Sequence, residues 1–289
     1  MVIDRKGRIP LHLDRVPRPR LKVFRESAMG AVDFAAFVDE LATVAGEAIR
    51  PFFRTTLGVE NKGSLTFDPV TAADRAAEQA MRTLIRQTFP GHGIVGEEFK
   101  DEGAGAAYVW VLDPIDGTKS FIAGMPAWGT LIGLLKDGLP VYGMMHQPFI
   151  GERFTGDGAA THYRGPAGER RLAVRSCSSL SDATLFTTSP LLMTEQERHA
   201  FENVQAGARL SRYGGDCYAY CMIAAGFVDL VVETGLKPHD VVALVPIIEG
   251  AGGIITDWEG GAAAKGGRII AAGDRRVHAE ALKILQTSL

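Results

Sequence analysis

The sequence predicts an α/β protein in two lobes, the first α+β and the second α/β. Three observations lead there. Helical spacing of apolar residues near the start gives way, from Tyr108, to short apolar runs with a hairpin signal between two of them. Past the middle of the chain, strand-like and helix-like segments alternate, the pattern of an α/β sheet. At 289 residues the chain exceeds one average domain and is long enough for two lobes sharing an interface.

Asp33 is placed to cap an amphipathic helix whose buried stripe is Phe34, Phe37, Val38, Leu41, Val44, Ala45, Ala48 and Phe52. Thr71 opens a second helix, with Asp74 at the capping-box position and Ala77, Met81, Leu84 and Ile85 as its apolar face. Residues 108–112 form a short apolar strand running into Asp113-Pro114, where the proline is expected to end the ladder. Residues 130–135 and 141–145 are strands joined through Asp137-Gly138, in a loop expected to exceed two residues. Residues 152–155 add a strand before a Gly-rich stretch, 156–168. Beyond it, 185–188, 209–212, 229–233, 254–257 and 268–271 read as strands. Helices are expected at 195–205, 217–225, 241–250 and 277–286, with Pro246 kinking or unwinding the third. The lobes are expected to divide near residue 170, giving a first lobe at 29–170 and a second at 171–289.

Composition excludes several classes of function. A hydrophobic fraction of 46% and a charged fraction of 22% belong to an ordinary globular chain. The net charge of -3 makes no case for nucleic acid, and no apolar run approaches the ~20 residues of a membrane span. Cys177, Cys217 and Cys221 form neither a disulfide framework nor a CxxC zinc pair, so a reducing cytoplasm is the expected location. Residues 1–28 differ: Arg5, Lys6, Arg8, Arg15, Arg18, Arg20, Lys22 and Arg25 face only Asp4, Asp14 and Glu26. They lack the apolar core of a secretory signal. They read as a disordered basic extension ahead of Met29; a nucleic-acid or lipid-binding arm is the alternative.

The chemistry is concentrated in Trp110-Val-Leu-Asp-Pro-Ile-Asp-Gly-Thr-Lys-Ser-Phe121. A strand ending at Asp113 presents one carboxylate at the sheet edge, and Asp116 returns a second on the following turn. Together they can reach one hard cation or bridge two. Gly117 allows close backbone approach, and Thr118-Lys119 begin a short helix whose N–H groups would face a bound phosphate. Alone, the pattern also fits an ordinary Asp-Pro turn. Two further acidic sites accompany it. Glu97-Glu98 follow the β-like Ile94-Val95, so one glutamate can face metal and the other solvent. Asp240 opens a helix within Lys237-Pro-His-Asp240, where a plain helix cap is the competing reading. His239 beside it is set aside, since a lone histidine is more often packed or exposed.

Gly96-Glu97-Glu98, then Asp113-Pro-Ile-Asp-Gly-Thr118, then Asp240 ahead of Glu249-Gly-Ala-Gly-Gly253, together resemble the inositol monophosphatase superfamily. The resemblance runs in order from about Phe34 to the C-terminus. It implies the layered αβαβα sandwich of the inositol monophosphatase and fructose-1,6-bisphosphatase type, and a Mg²⁺-dependent, lithium-sensitive phosphomonoesterase with two or three metal ions. By resemblance, Glu97, Asp113 and the carbonyl of Ile115 hold a first metal, and Asp113, Asp116 and Asp240 a second. Asp74 helps to hold a third or its waters, and Thr118 with Glu97 orients the nucleophilic water. The N–H groups of Gly117 and Thr118 bind the phosphoryl group. Relatives are commonly dimers.

Departures from the usual pattern point to a substrate. The position before Asp240 usually carries Trp and here carries His239, while Lys119-Ser120 stand after the Asp-Gly-Thr turn. With Tyr213-Gly-Gly-Asp-Cys-Tyr218, His146-Gln-Pro148 and Gly151-Glu-Arg153, these features resemble the histidinol-phosphate phosphatase branch. Such a substrate brings a protonated amine and an imidazole, both met by carboxylates. Asp216, expected as a helix cap at the rim, and Glu233, expected at a strand end, are the candidates. Both are expected opposite the Gly117-Thr118 turn. An inositol or sugar-phosphate phosphatase, and a non-enzymatic binding role for the basic arm, are the alternatives.

Overall fold

The computed structural model describes residues 33–54, 59–61 and 69–289. In chain order the elements are α1 (Phe34–Ile49), β1 (Val59–Asn61), β2 (Pro69–Thr71), α2 (Ala72–Thr88), β3 (Gly93–Gly96), β4 (Tyr108–Asp116), α3 (Thr118–Ile122), β5 (Gly129–Lys136) and β6 (Leu139–Gln147). Then come β7 (Glu152–Gly156), β8 (Thr161–Gly165), β9 (Gly168–Leu172), β10 (Thr184–Thr187), α4 (Glu195–Gly207), β11 (Leu210–Tyr213), α5 (Asp216–Ala224) and β12 (Leu230–Leu236). The chain closes with α6 (Pro238–Val241), α7 (Leu244–Gly250), β13 (Ile254–Asp257), β14 (Gly267–Ala272) and α8 (Arg275–Ser288). Ala35–Leu289 form one compact unit. The basic segment 1–28 lies outside the described residues.

Among the described residues β3 to β9 form a seven-stranded sheet in chain order, antiparallel except for the β3–β4 pair. A second sheet runs β11-β10-β12-β14-β13, with β10 parallel to both its neighbours. Between the sheets lie α5 and α7. Tyr220, Ile223, Leu244, Ile247 and Ile248 join Leu131, Met145 and Phe154 of one sheet to Val231, Ile255 and Ile269 of the other in a single apolar cluster. On the outer face of the smaller sheet, Phe201 and Val204 of α4 and Val277 and Leu285 of α8 pack on Leu185, Leu230 and Ile270. Across the larger sheet, Phe37 of α1 meets Trp110 of β4 and Phe89 after α2, at ring distances of 5.6 and 4.8 Å. The result is the expected five-layer order, α, β, α, β, α.

Four local expectations change. The hairpin between β5 and β6 turns on two residues only, Asp137 and Gly138, with φ of +49° and +79° and Lys136 paired to Leu139. Both central residues being left-handed is what a tight β-hairpin turn demands. Pro114 does not end β4. The strand bulges between Asp113, paired with Leu131, and Asp116, paired with Gly129, while Thr130 Oγ1 donates to the Pro114 carbonyl at 2.8 Å. The Gly-rich stretch, in which no strand is expected from the sequence, contains β8 and the start of β9, a hairpin that extends the sheet to Leu172. The expected helix at 241–250 is two helices. The break at Val242-Ala243 falls where Pro246 removes a hydrogen bond and crowds the carbonyl four residues back, so the proline sits harmlessly in the first turn of α7.

Candidate metal centre

The bulge in β4 is what assembles the site. It lets Asp113, Ile115 and Asp116 all stand at the strand's end, with Asp113 1% exposed and Ile115 fully buried. Glu97 follows β3 directly, and its segment is pinned from below by α2. Glu78, fully buried, accepts from Glu98 N at 2.8 Å and from Arg82 Nε at 2.7 Å, and Arg82 also donates to the Phe99 carbonyl at 3.2 Å. Asp240 comes from α6 on the far side of the sequence. It is not the cap but the third residue of that turn, and its Oδ2 accepts from Lys237 N at 2.6 Å.

Two groups of side chains offer ligand atoms within 4.8 Å of one another: Glu97, Asp113 and His239, and Asp113, Asp116 and Asp240. Asp113 is common to both. Its Oδ1 is buried without a hydrogen-bond partner, and burial together with the charges of Glu97, Asp116, Asp240 and Asp74 pushes its carboxyl well above the usual carboxylate range. Asp116 is also pushed up, by burial and then by Asp240 and Asp216, against a lowering contact from Cys217. A buried oxygen with no donor, inside a set of mutually repelling carboxylates, is the environment that divalent cations relieve. Asp74 joins neither group, although its charge reaches Asp113. It lies in the first turn of α2, which starts at Ala72 rather than Thr71.

The two carboxylates expected to meet the substrate, Asp216 and Glu233, are placed differently from expectation. Asp216 is no helix cap. It opens α5 in a left-handed conformation, φ +43°, and its Oδ2 accepts from Ser120 Oγ at 2.5 Å. The cap is supplied by Asp116, whose Oδ2 accepts from Cys217 N at 2.7 Å. Nor does Asp216 lie opposite the Gly117-Thr118 turn: a Cβ on Gly117 would stand 2.9 Å from its carboxyl carbon. Glu233 sits within β12 rather than at its end, 5% exposed. Its Oε1 accepts from Thr188 N at 2.8 Å and Thr188 Oγ1 at 2.5 Å, and its Oε2 from the Tyr220 hydroxyl at 3.1 Å. Burial nevertheless raises its carboxyl to about 7. Both carboxylates, with Asp116, Gly117, Thr118 and Asp240, line one cavity of about 390 Å³. Thr118 Oγ1 donates to the Ile115 carbonyl at 3.2 Å, tying the turn to the bulge.

His239 is what sequence reasoning left aside. The available signal was its position, one residue before a candidate ligand.

The model of the inositol monophosphatase family matches residues 32–289. The chain belongs to the inositol monophosphatase family. It is 47% identical over 265 residues to the bifunctional phosphatase IMPL2, chloroplastic, of Arabidopsis thaliana, covering 88% of this chain and 75% of that protein. It is 36% identical to a histidinol-phosphatase of Chlorobaculum parvum, with 76% and 84% covered. Among solved structures, an inositol monophosphatase from Zymomonas mobilis is 44% identical and superposes with a TM-score of 0.77 over 87% of this chain and 96% of that one. The protein is therefore a phosphatase of this family, a hydrolase acting on small phosphorylated substrates. The family is typically metal-dependent, and its acidic residues are grouped here accordingly. No helix among the described residues is long and apolar enough to cross a membrane.

Proposed function

We propose that this family member is a Mg²⁺-dependent histidinol-phosphate phosphatase, releasing histidinol and phosphate. The observation that carries the reading is the pair of carboxylates, Asp216 and Glu233, lining the same cavity as Asp116, Gly117 and Thr118. Burial raises both carboxyls above their ordinary values even though Lys119 draws Asp216 down and Lys237 also lines the cavity, so both gain from further positive charge on the organic part of a substrate. A protonated amine or imidazole supplies it, with charge-assisted hydrogen bonds of about 1.5–3 kcal/mol each. An inositol ring offers neutral hydroxyls and gains less. The likeness to histidinol-phosphatases supports the same substrate.

In this proposal Glu97, Asp113, the Ile115 carbonyl, Asp116 and Asp240 hold two or three ions, with Asp74 assisting. When bound, the ions lower the pKa of water and offset charge on the leaving oxygen. Thr118 and Glu97 orient the attacking water, and the N–H groups of Gly117 and Thr118 hold the phosphoryl oxygens. Asp216 and Glu233 hold the organic part. A homodimer in the cytoplasm completes the proposal, consistent with three buried free thiols.

The likeness to a solved inositol monophosphatase favours a second reading, hydrolysis of inositol or sugar phosphates. Phosphate release from histidinol phosphate, inositol 1-phosphate and a panel of sugar phosphates, with Mg²⁺ and with chelator, separates the two. A kcat/KM for histidinol phosphate below that for inositol 1-phosphate rejects the first. Full turnover in excess chelator rejects the metal.

A further inference from the structure

We propose that His239 is a ligand, placing a nitrogen donor on the cation held by Glu97 and Asp113 and tilting that position from Mg²⁺ towards later transition ions. The inference rests on the metal-dependent reading of this site. A ring nitrogen of His239 and carboxylate oxygens of Glu97 and Asp113 lie within 4.8 Å of one another. Neighbouring donors at about 2.1 Å from one ion stand about 3.0–3.4 Å apart, so closure asks for relative movements of at most roughly 1.5–2 Å, within reach of side-chain rotation. Asp113 Oδ1, buried and without a hydrogen-bond partner, is an independent sign that this spot suits a cation.

The histidine is also held in place. It is 9% exposed, on the turn that Asp240 braces by accepting from Lys237 N at 2.6 Å. Its Nε2 stands 3.6 Å from Asp240 Oδ1, so α6 presents consecutive residues to the two metal positions. A Trp or Phe there would close the cluster with carbon. An imidazole instead brings a donor that suits Zn²⁺, Fe²⁺ and Ni²⁺ beside carboxylates that suit Mg²⁺ and Mn²⁺.

The test is pulsed electron paramagnetic resonance on the full chain, stripped with chelator and given substoichiometric Mn²⁺, with natural-abundance and ¹⁵N-histidine protein. A nitrogen coupling that changes isotope with the label, and vanishes in His239→Phe while Mn²⁺ still binds, is the expected result. Calorimetric titration of Zn²⁺ and Mg²⁺ into wild type and His239→Gln adds a second measure. Zn²⁺ affinity should fall by about tenfold or more, the scale of lost ligand support, and Mg²⁺ affinity by much less. Mn²⁺ that binds, is lost in Asp113→Asn and shows no nitrogen coupling in wild type overturns the role of His239 and leaves the metal reading standing. Absence of any Asp113-dependent Mn²⁺ binding overturns both.

Discussion

Gly117 has no room for a side chain: its backbone runs at φ +87°, and a Cβ there would meet the Asp216 carboxyl carbon at 2.9 Å. Gly117→Ala should therefore cost about 1–3 kcal/mol through strain and crowding, and depress turnover by displacing Asp216 together with the turn proposed to bind phosphate. Thermal unfolding and kcat on one preparation check this; an alanine variant as stable and active as wild type would show that the turn relaxes freely. Asp113→Asn should behave in the opposite way. It removes a carboxylate that burial and four like charges disfavour, so the chelator-treated protein should melt no lower than wild type. Turnover should nonetheless fall by several orders of magnitude, because the residue is common to both ligand groups. Activity within a few-fold of wild type would reject a shared role. Asp216→Asn keeps the left-handed backbone, which asparagine tolerates, and removes only the charge. We expect kcat/KM for histidinol phosphate to fall roughly ten- to a hundredfold while a sugar phosphate changes little. An equal fall for both would make Asp216 a brace for Ser120 and nothing more.

Elements were readable where one segment carried its own signal, and obscure where a partner decided the outcome. The periodicity of α1 is local, and that helix and α4, expected at 195–205, lie where the pattern put them; the structure adds a capping box on α4, Thr194 with Glu197. The β4 bulge is not local: Pro114 reads as a stop until Thr130 on the neighbouring strand donates its hydroxyl to the Pro114 carbonyl. The β8–β9 hairpin hid among glycines because its inward side chains, Thr161, Tyr163 and Leu172, are few and spaced by exposed polar ones. The same holds for α6 and α7, whose separation matters for the site. Gly143 and Gly156 bring the larger sheet against their backbone, where a Cβ on Gly143 would lie 1.8 Å from the Ala243 carbonyl oxygen and one on Gly156 2.4 Å from that of Pro246. Neither glycine has positive φ, so contact with helix backbone, which cannot rotate aside, is the constraint. Gly143→Ala should destabilise by about 3 kcal/mol or more, and should weaken metal binding as α6 and Asp240 shift with α7. Denaturant unfolding measures the first effect, and a loss under 1 kcal/mol would mean that the layers slide.

The assembled molecule draws its site from distant parts of the chain, Glu97 and Asp113 before the middle and Asp216, Glu233 and Asp240 after it. That is why the carboxylates could be recognised as motifs while the cavity shared by Asp116, Asp216, Glu233 and Asp240, and the grouping of His239 with Glu97 and Asp113, could not. The assembly also has opposing acid and base limits. Burial holds His146 and His278 neutral, lowering both to about 4, so the stability they allow is complete above the unfolded histidine value of 6.5 and is lost as pH falls towards 4, by roughly 3 kcal/mol each. Asp113 and Asp116 act the other way. Their folded values are raised above 3.8, so the metal-free fold binds more protons than the unfolded chain and loses stability as pH rises through those raised values. A cation among them cancels that loss and must displace protons to bind. The increase in melting temperature produced by Mg²⁺ should thus grow steadily from pH 5.5 to pH 8, while the metal-free protein gains little or nothing over the upper part of that range. Titration calorimetry in two buffers of different ionisation enthalpy should register protons released on Mg²⁺ binding, more at the lower pH. In Asp113→Asn both the pH dependence of the Mg²⁺ increment and the proton release should shrink. An increment that is the same at every pH, with no protons released, would mean that the carboxylates are already ionised without metal and that their mutual repulsion is relieved in some other way.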